Sequence, residues 1–536
     1  MSSEETKRRL ARQIEMIRDT TEERTFDVIV RMRRPDDEER SLIDTVSSAF
    51  NRRRLSISAR DFLPQRREIQ NARPPRRGRT ASRAVQSDRQ SLAAEVASAI
   101  DPRGRLSTVE GLRSASLAAL DPLIQSDAVR EAKAAVSATK PNALDPIPFW
   151  TSGSAIITVR DEDLARIVEA VPGIEDIYPN RRLFVPPVAV PRKVPEAIED
   201  NKASSWGIRR IAALGAWGAY GCRGDGVLVG LLDTGVDPDH PDLKGKIKHW
   251  AEFDATGVEV QGSTAHDSDR HGTHCAGTIV GGDASGRWIG VAPEARLAAA
   301  LVLDGQRGGT DAQVLAGIDW AVNLGVDVIS LSLGAFVLGP ATPNTYTRAI
   351  LSAMRVGIPV VAAIGNEGSQ TSGSPGSDYF AFAVGATDQN DLAAGFSGGR
   401  TQIIQTSSYF PPEALPLLYS KPDISAPGVA VWSSVPGGGW EHFNGTSMAT
   451  PHVAGAIALL LSATNIKDEP PGDRAFLIQD LLTGSSEELG EAGQNHRFGF
   501  GRLDILRAIG FARDLGYGPS SRPAHAVVGS SPRRHP

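Results

Sequence analysis

Residues 311–334 read DAQVLAGIDWAVNLGVDVISLSLG. The first part, to Gly325, carries apolar residues at helical spacing and closes on glycine; VDVISLSLG (326–334) is a short apolar run rich in β-branched residues. A helix that feeds directly into a buried strand is half of a crossover unit. Working outward, GVLVGLLD (226–233), RLAAALVLD (296–304) and IPVVAAIGN (358–366) are runs of the same kind, and NTYTRAILSAMRVG (344–357) reads as a second helix. Strands alternating with crossover helices predict an α/β fold with a mainly parallel central sheet covered on both faces. In such sheets function gathers beyond the C-terminal ends of the strands. Three of the runs end in Asp233, Gly334 and Asn366, and the fourth ends in Asp304 before the glycine loop Gly305–Gly309.

Upstream of residue 200 the texture changes. FDVIVRM (26–32) is a strand, and 150–184 reads strand, helix, strand, with DEDLARIVEAV as the helix and IEDIYP as the last strand. Together they predict a small α+β domain over 26–184, preceded by an N-terminal helix within 1–25. Its first strand is separated from the rest by an insertion at about 34–148. The insertion holds a basic run, NRRRLSISARDFLPQRREIQNARPPRRGRT (51–80), then helix-like SLAAEVASAI and SDAVREAKAAVSA. Prolines interrupt the basic run and few aromatics interleave it, so a solvated arm is the preferred reading and nucleic acid is not expected as a partner. A linker is expected at 185–204, the main domain at 205–512 and a disordered tail at 513–536.

The bulk numbers fit this division. At 536 residues the chain exceeds one ordinary core. It is 40% hydrophobic and 23% charged, with a net charge of −5 that singles out no partner. Two cysteines, Cys222 and Cys275, exclude a disulfide framework and fit a reducing compartment. The first residues, MSSEETKRRLARQIEMIRD, lack the apolar core of a secretory signal, and no run approaches the length of a membrane span. The expectation is a cytoplasmic protein, with leaderless export left open.

Three segments carry chemistry. LLDTGVDPDHPDL (231–243) sets Asp233 just past an apolar strand; DRHGTHCAGTIVG (269–281) sets His271 before a helix of small residues; NGTSMATPHVAGA (444–456) sets Ser447 at another helix start. A hydroxyl is a weak nucleophile. It needs a base within reach, and the base needs an acid that fixes its tautomer and stabilises its cation. At a helix start, Ser447 also has free backbone N–H groups nearby for a developing oxyanion. AAIGNEG (362–368) adds Asn366, a side-chain donor directly after a strand.

The order Asp, His, Ser with these flanking residues, over roughly 200–512, resembles the subtilisin-like serine proteases. The resemblance implies a three-layer fold and a serine endopeptidase in which Asp233, His271 and Ser447 form the triad and Asn366 is the oxyanion donor. Pro451 and Gly455 then belong to the serine helix. Ser332, Leu333 and Gly334, with Arg307, Gly308 and Gly309, become two strand edges that pair with a substrate backbone; Gly365 and Gly373 line the pocket, Gly373 leaving depth for a large apolar side chain. The resemblance further implies that 26–184 is a propeptide, an intramolecular inhibitor whose tail runs through the active site. That tail contains Pro186, Pro187 and Pro191, which lack the N–H for edge pairing and should resist acylation, so a latent precursor is expected, with cleavage displaced or delayed. No cofactor is needed for the chemistry. Family members often bind structural calcium; Asp242 matches one ligand position, but Ala284 stands in GGDASGRW (281–288) where a side-chain ligand is expected.

Other readings stand beside these. A single DTG at 233–235 lacks the second copy that an aspartic protease requires. His271, His274 and Cys275 have no evident third metal-ligand spacing; the resemblance puts His274 and Cys275 on a buried helix face. Asn366 and Ser447 are also good caps. At the level of function, a non-catalytic scaffold or a transpeptidase built on the same acyl-enzyme are the alternatives to hydrolysis of protein or peptide substrates.

Overall fold

The computed structural model describes residues 3–20, 25–33, 108–138, 145–184, 188–194, 198, 203–305, 307–337, 344–405, 407, 410 and 415–519. The basic run at 51–80, SLAAEVASAI and the end of the chain from 520 lie outside them.

The four apolar runs become strands of one seven-stranded parallel sheet. Its order from one edge is Ile424–Pro427, Phe382–Thr387, Val360–Ala363, Val328–Leu331, Leu228–Asp233, Arg296–Leu301, Ile247–Glu252. The strand Leu228–Asp233 lies where the chain stops building one side of the sheet and starts the other, so Asp233 stands at the topological switch point. Alternate side chains enter opposite layers. Val229 and Leu231 join a core with Ile279 of the helix His271–Val280 and with Val453, Ile457 and Leu460 of the helix Thr446–Ala463. Leu232 faces the other way, with Leu315 and Ile318 of Asp311–Leu324 and Ile350 of Thr347–Arg355. The expected helix at 311–325 is bounded as its sequence suggests: Thr310 Oγ1 accepts the Gln313 N–H at 3.2 Å, and Gly325 closes it at φ +68°. Thr446–Ala463 has the length and apolarity of a membrane span, with a mean hydropathy of 1.3, but 94% of it is buried inside the protein.

The N-terminal unit is an antiparallel sheet ordered Ile147–Phe149, Ser154–Arg160, Thr25–Met32, Ile174–Pro179. Helix Asp161–Ala170 joins two of its strands, and helices Ser3–Thr20, Val109–Ile124 and Asp127–Ser137 complete its layer. Val28, Val30 and Ile157 face those helices. Ile29, Ile156 and Phe149 face the other way, into the core beneath Asp311–Leu324. The strand at 147–149 shows that the expected insertion ends before residue 148. The expected tail boundary also shifts. Helix Ile505–Asp514 runs past 513, Tyr517 packs on the core and Gly518 O accepts the Asn465 N–H at 3.0 Å.

Charged side chains weld the two units together. Arg348 donates to Met32 O at 2.8 Å and to Glu175 at 2.6 Å; Arg31 pairs with Asp176 and donates to Asn344 O at 3.1 Å. Arg31, Arg348, Glu175 and Asp176 are all buried. Burial opposes the Glu175 carboxylate, but Arg348, Arg31 and Arg9 outweigh it and hold its pKa at about 2. A second contact centres on buried Asp319, which accepts from Trp150 N (2.7 Å), Thr151 N (3.0 Å) and the Thr151 hydroxyl.

Candidate active site

Asp233 ends its strand inside the protein, and its Oδ1 accepts the Thr234 N–H at 2.8 Å. His271 opens its helix with Nδ1 2.6 Å from the same Asp233 oxygen. Both side chains are almost fully buried. Burial opposes an imidazolium, yet the Asp233 carboxylate prevails and holds the His271 pKa well above its ordinary 6.5. A carboxylate on Nδ1 fixes the tautomer that leaves Nε2 to work as a base. His271 Nε2 is buried without a hydrogen-bond partner.

The approach of the two segments depends on glycine. Gly235 has φ +106°, and a Cβ there would strike His266 O; a Cβ on Gly272 would strike Gly235 O. A residue the sequence reading did not single out, Asp267, ties the segments together. Its carboxylate accepts from Thr234 Oγ1 (2.7 Å), Thr273 N (2.7 Å), Thr273 Oγ1 (2.5 Å) and Asp269 N (3.0 Å), and Thr234 Oγ1 in turn accepts the Gly272 N–H at 2.8 Å. Its position four residues before His271, in a polar loop, was the available signal.

Ser447 lies in the first turn of its helix, buried. Its Oγ donates to Ser332 O at 3.2 Å, while Ser332 Oγ donates back to Ser447 O at 2.9 Å. Pro451 explains the second bond. An ordinary residue four positions on would offer its N–H to Ser447 O; proline has none. The carbonyl instead takes the Ser332 hydroxyl and the Cys275 thiol, the latter at 3.4 Å. Gly455 allows the same helix to pass Val291, whose Cβ would lie 2.6 Å from an added Cβ.

Asn366 Oδ1 accepts from Thr446 N (2.8 Å) and Thr446 Oγ1 (2.9 Å). This orients the amide so that its nitrogen faces Gly445, 3.4 Å from where a Cβ on that glycine would sit. Gly365 takes φ +111° beside it, and Gly373 is buried with its N–H on Ile364 O at 2.7 Å. A Cβ on Gly373 would meet only ordinary contacts at 3.5–3.8 Å.

The two expected substrate edges are occupied by the chain itself. Leu183 pairs with Gly309, Arg182 with Thr310, and Phe184 with Gly334, all antiparallel. The first edge is Gly308–Thr310, one residue later than expected, because Arg307 is turned out of the strand with its N–H on Asp304 Oδ1 at 2.9 Å. Leu333 lies beside the second edge. Its side chain is 1% exposed within the core, which leaves only its backbone for any ligand.

The metal expectations do not fit the residues present. Asp242 Oδ1 accepts the Ala284 N–H at 2.7 Å, and Oδ2 accepts the Trp440 indole N–H at 2.6 Å. The 281–288 loop thus offers Asp242 donors where calcium would need oxygens. That loop also carries Arg287, whose charge acts on Arg209 and, after burial, helps lower the Arg209 pKa. Asp233, His271 and Cys275 are the one group among the described residues whose ligand atoms lie within 4.8 Å of one another. However, His271 Nδ1 is engaged by Asp233, and burial pushes the Cys275 thiol up to about 11. Burial drives His274 down to about 3; its ring stacks on Phe443 at 4.3 Å, with Nε2 on Val431 O at 3.0 Å. Both residues are structural.

Comparison with known proteins agrees with this architecture. The model of the subtilase family, peptidase family S8, matches residues 224–501. Subtilisin E of Bacillus subtilis (strain 168) is 37% identical over 316 residues, 58% of this chain and 73% of its own. Subtilisin Savinase of Lederbergia lenta is 39% identical over 285 residues, 53% of this chain and 92% of its own, and a subtilisin of Bacillus pumilus is 38% identical over 307 residues, 56% and 98%. With a family model spanning more than half of its residues and relatives of this identity covered almost end to end, the chain belongs to the subtilase family and is a serine-type peptidase.

Proposed function

We propose that this chain is an endopeptidase that hydrolyses protein or peptide substrates through an acyl-enzyme, with Ser447 as nucleophile, His271 as general base, Asp233 as its orienting acid and Asn366 as an oxyanion donor. The observation that carries the reading is the buried His271–Asp233 pair, 2.6 Å apart, with Nε2 unengaged. Cys275 links that pair to the serine turn: its sulfur is 3.9 Å from His271 Nδ1 and 3.4 Å from Ser447 O.

In this reading the Ser447 hydroxyl rotates from Ser332 O to His271 Nε2 when a substrate carbonyl arrives. His271 takes the proton as the oxygen adds to the carbonyl carbon, and Asp233 stabilises the resulting cation. The tetrahedral oxyanion receives the Ser447 N–H and the Asn366 amide. The proton then passes to the leaving amine, and water repeats the sequence to release the acid. No cofactor enters these steps. The N-terminal unit acts as an intramolecular inhibitor and the chain is made as a latent precursor; the pairing of 182–184 along both edges supports this.

A fluorophosphonate probe tests the reading. After the N-terminal unit is removed, the wild type should label and cleave peptides, and Ser447→Ala should do neither. A Ser447→Ala protein that turns over peptide, or a separated wild-type catalytic unit that never labels, would sink it; the latter outcome favours the scaffold alternative.

A further inference from the structure

Among the described residues, the chain beyond the N-terminal unit is fastened at three places. Leu183 and Phe184 pair with Gly309 and Gly334. Ala189 then exchanges both backbone bonds with Asn444: Ala189 N–H to Asn444 O at 3.3 Å, and Asn444 N–H to Ala189 O at 2.9 Å. Finally Ile198, 2% exposed, packs with Trp206 and Ala430, with Val194 at the margin. Gly334 follows Ser332, the residue bonded to the Ser447 hydroxyl, by two positions, and Asn444 precedes Ser447 by three. The first two fastenings therefore flank the nucleophile, and the sequence between them is Val185-Pro186-Pro187-Val188. Proline has no N–H for edge pairing and a fixed φ, so a segment of this sequence is a poor target for acylation.

Between the second and third fastenings the chain bends at Pro191–Val194, and Arg192 and Lys193 are exposed there. This basic pair differs from the large apolar side chain expected for this enzyme's own pocket. We propose that Arg192–Lys193 is a processing site for a second endopeptidase selective for basic residues, and that cutting Lys193–Val194 unlocks the cleft. This rests on the reading of the chain as a latent endopeptidase. In the cut, water adds its oxygen to the Lys193 carbonyl carbon, the C–N bond to Val194 breaks, and Val194 leaves as an amine carrying the second proton.

The physical effect of the cut is on tethering. While the chain is continuous, the strap faces the cleft at an effective concentration of about millimolar, whatever the dilution. Once cut, the N-terminal unit with its strap is a separate molecule, and occupancy of the cleft falls on dilution. Activity should thus appear in two stages, a cut and then a concentration-dependent release.

The test uses the full chain, trypsin as the basic-selective protease, a fluorophosphonate probe and mass analysis of the fragments. Brief digestion of the wild type should produce a boundary at 192/193 or 193/194, and labelling should rise at least tenfold on dilution. The R192Q/K193Q variant keeps every other basic residue and should stay at the precursor level under the same digestion. If that variant activates like the wild type, or if the wild type activates without a cut at 192–194, the inference is overturned while the endopeptidase reading stands. If the wild type is cut there and separates but neither labels nor turns over, the endopeptidase reading itself has failed.

Discussion

Asn366 lends itself to a sharp test because its two ends do different work. The amide oxygen accepts both Thr446 donors, which fixes the start of the serine helix; the nitrogen is the group assigned to the oxyanion. Asn366→Ala removes both functions at once. Losing the acceptor for two donors costs about 1 kcal/mol each, so part of any activity loss would be instability. Asn366→Asp separates them. It keeps an oxygen for Thr446 and puts a second, charged oxygen where the donor was. Removing one oxyanion donor costs about 10²–10³ in kcat, about 3–4 kcal/mol, and repulsion of the developing anion adds to that. The expected result for Asn366→Asp is a fall in kcat of at least about 10³, with KM within about threefold because the hydrogen bond grows only in the transition state, and a Tm close to wild type. Steady-state kinetics on a chromogenic peptide and a thermal melt of the activated enzyme suffice. A kcat within about threefold of wild type would refute the assignment.

The pH profile follows from the sign of the His271 shift. The base works when neutral, so a folded pKa held above 6.5 places the acid limb of kcat/KM above pH 6.5, and Asp233→Asn should move that limb down while lowering kcat. The same ion pair stabilises the fold fully below about pH 6.5, and that contribution is lost as pH rises through the folded-state value. Asp242→Asn should lower Tm by the same amount with and without millimolar calcium, since the carboxylate serves the Ala284 and Trp440 donors; a calcium-dependent difference between variant and wild type would reinstate Asp242 as a ligand. Cys275→Ala should leave turnover within a few-fold, and iodoacetamide at pH 8 should not modify the native thiol, whose pKa is pushed to about 11; rapid modification would show the site is open to solvent.

The elements that could be read directly were those whose chemistry sits at the end of a regular unit. Asp233, Asn366 and Gly334 follow apolar strand runs, and His271 and Ser447 open helices of small residues, so the placing of each needed only local pattern. What escaped depends on partners distant in sequence. Asp242 looked like a cation ligand because Trp440, 198 positions later, is invisible to any local reading. Asp267 was not singled out because its donors, Thr234 and Thr273, lie on two segments that only the fold brings together. Helix Val109–Ile124 was overlooked because its N-terminal half is polar and Pro122 interrupts its pattern.

Pro451 has a mechanical consequence. By withholding one N–H it leaves Ser447 O to be gripped by Ser332, on the strand edge proposed to align a peptide backbone, and that residue takes the serine hydroxyl in exchange. In the proposed reaction the attacking oxygen and the rail that aligns its target are therefore parts of a single frame. When thermal motion shifts one, the other moves with it, and the distance across which a bond must form is spared the independent wandering of two loops.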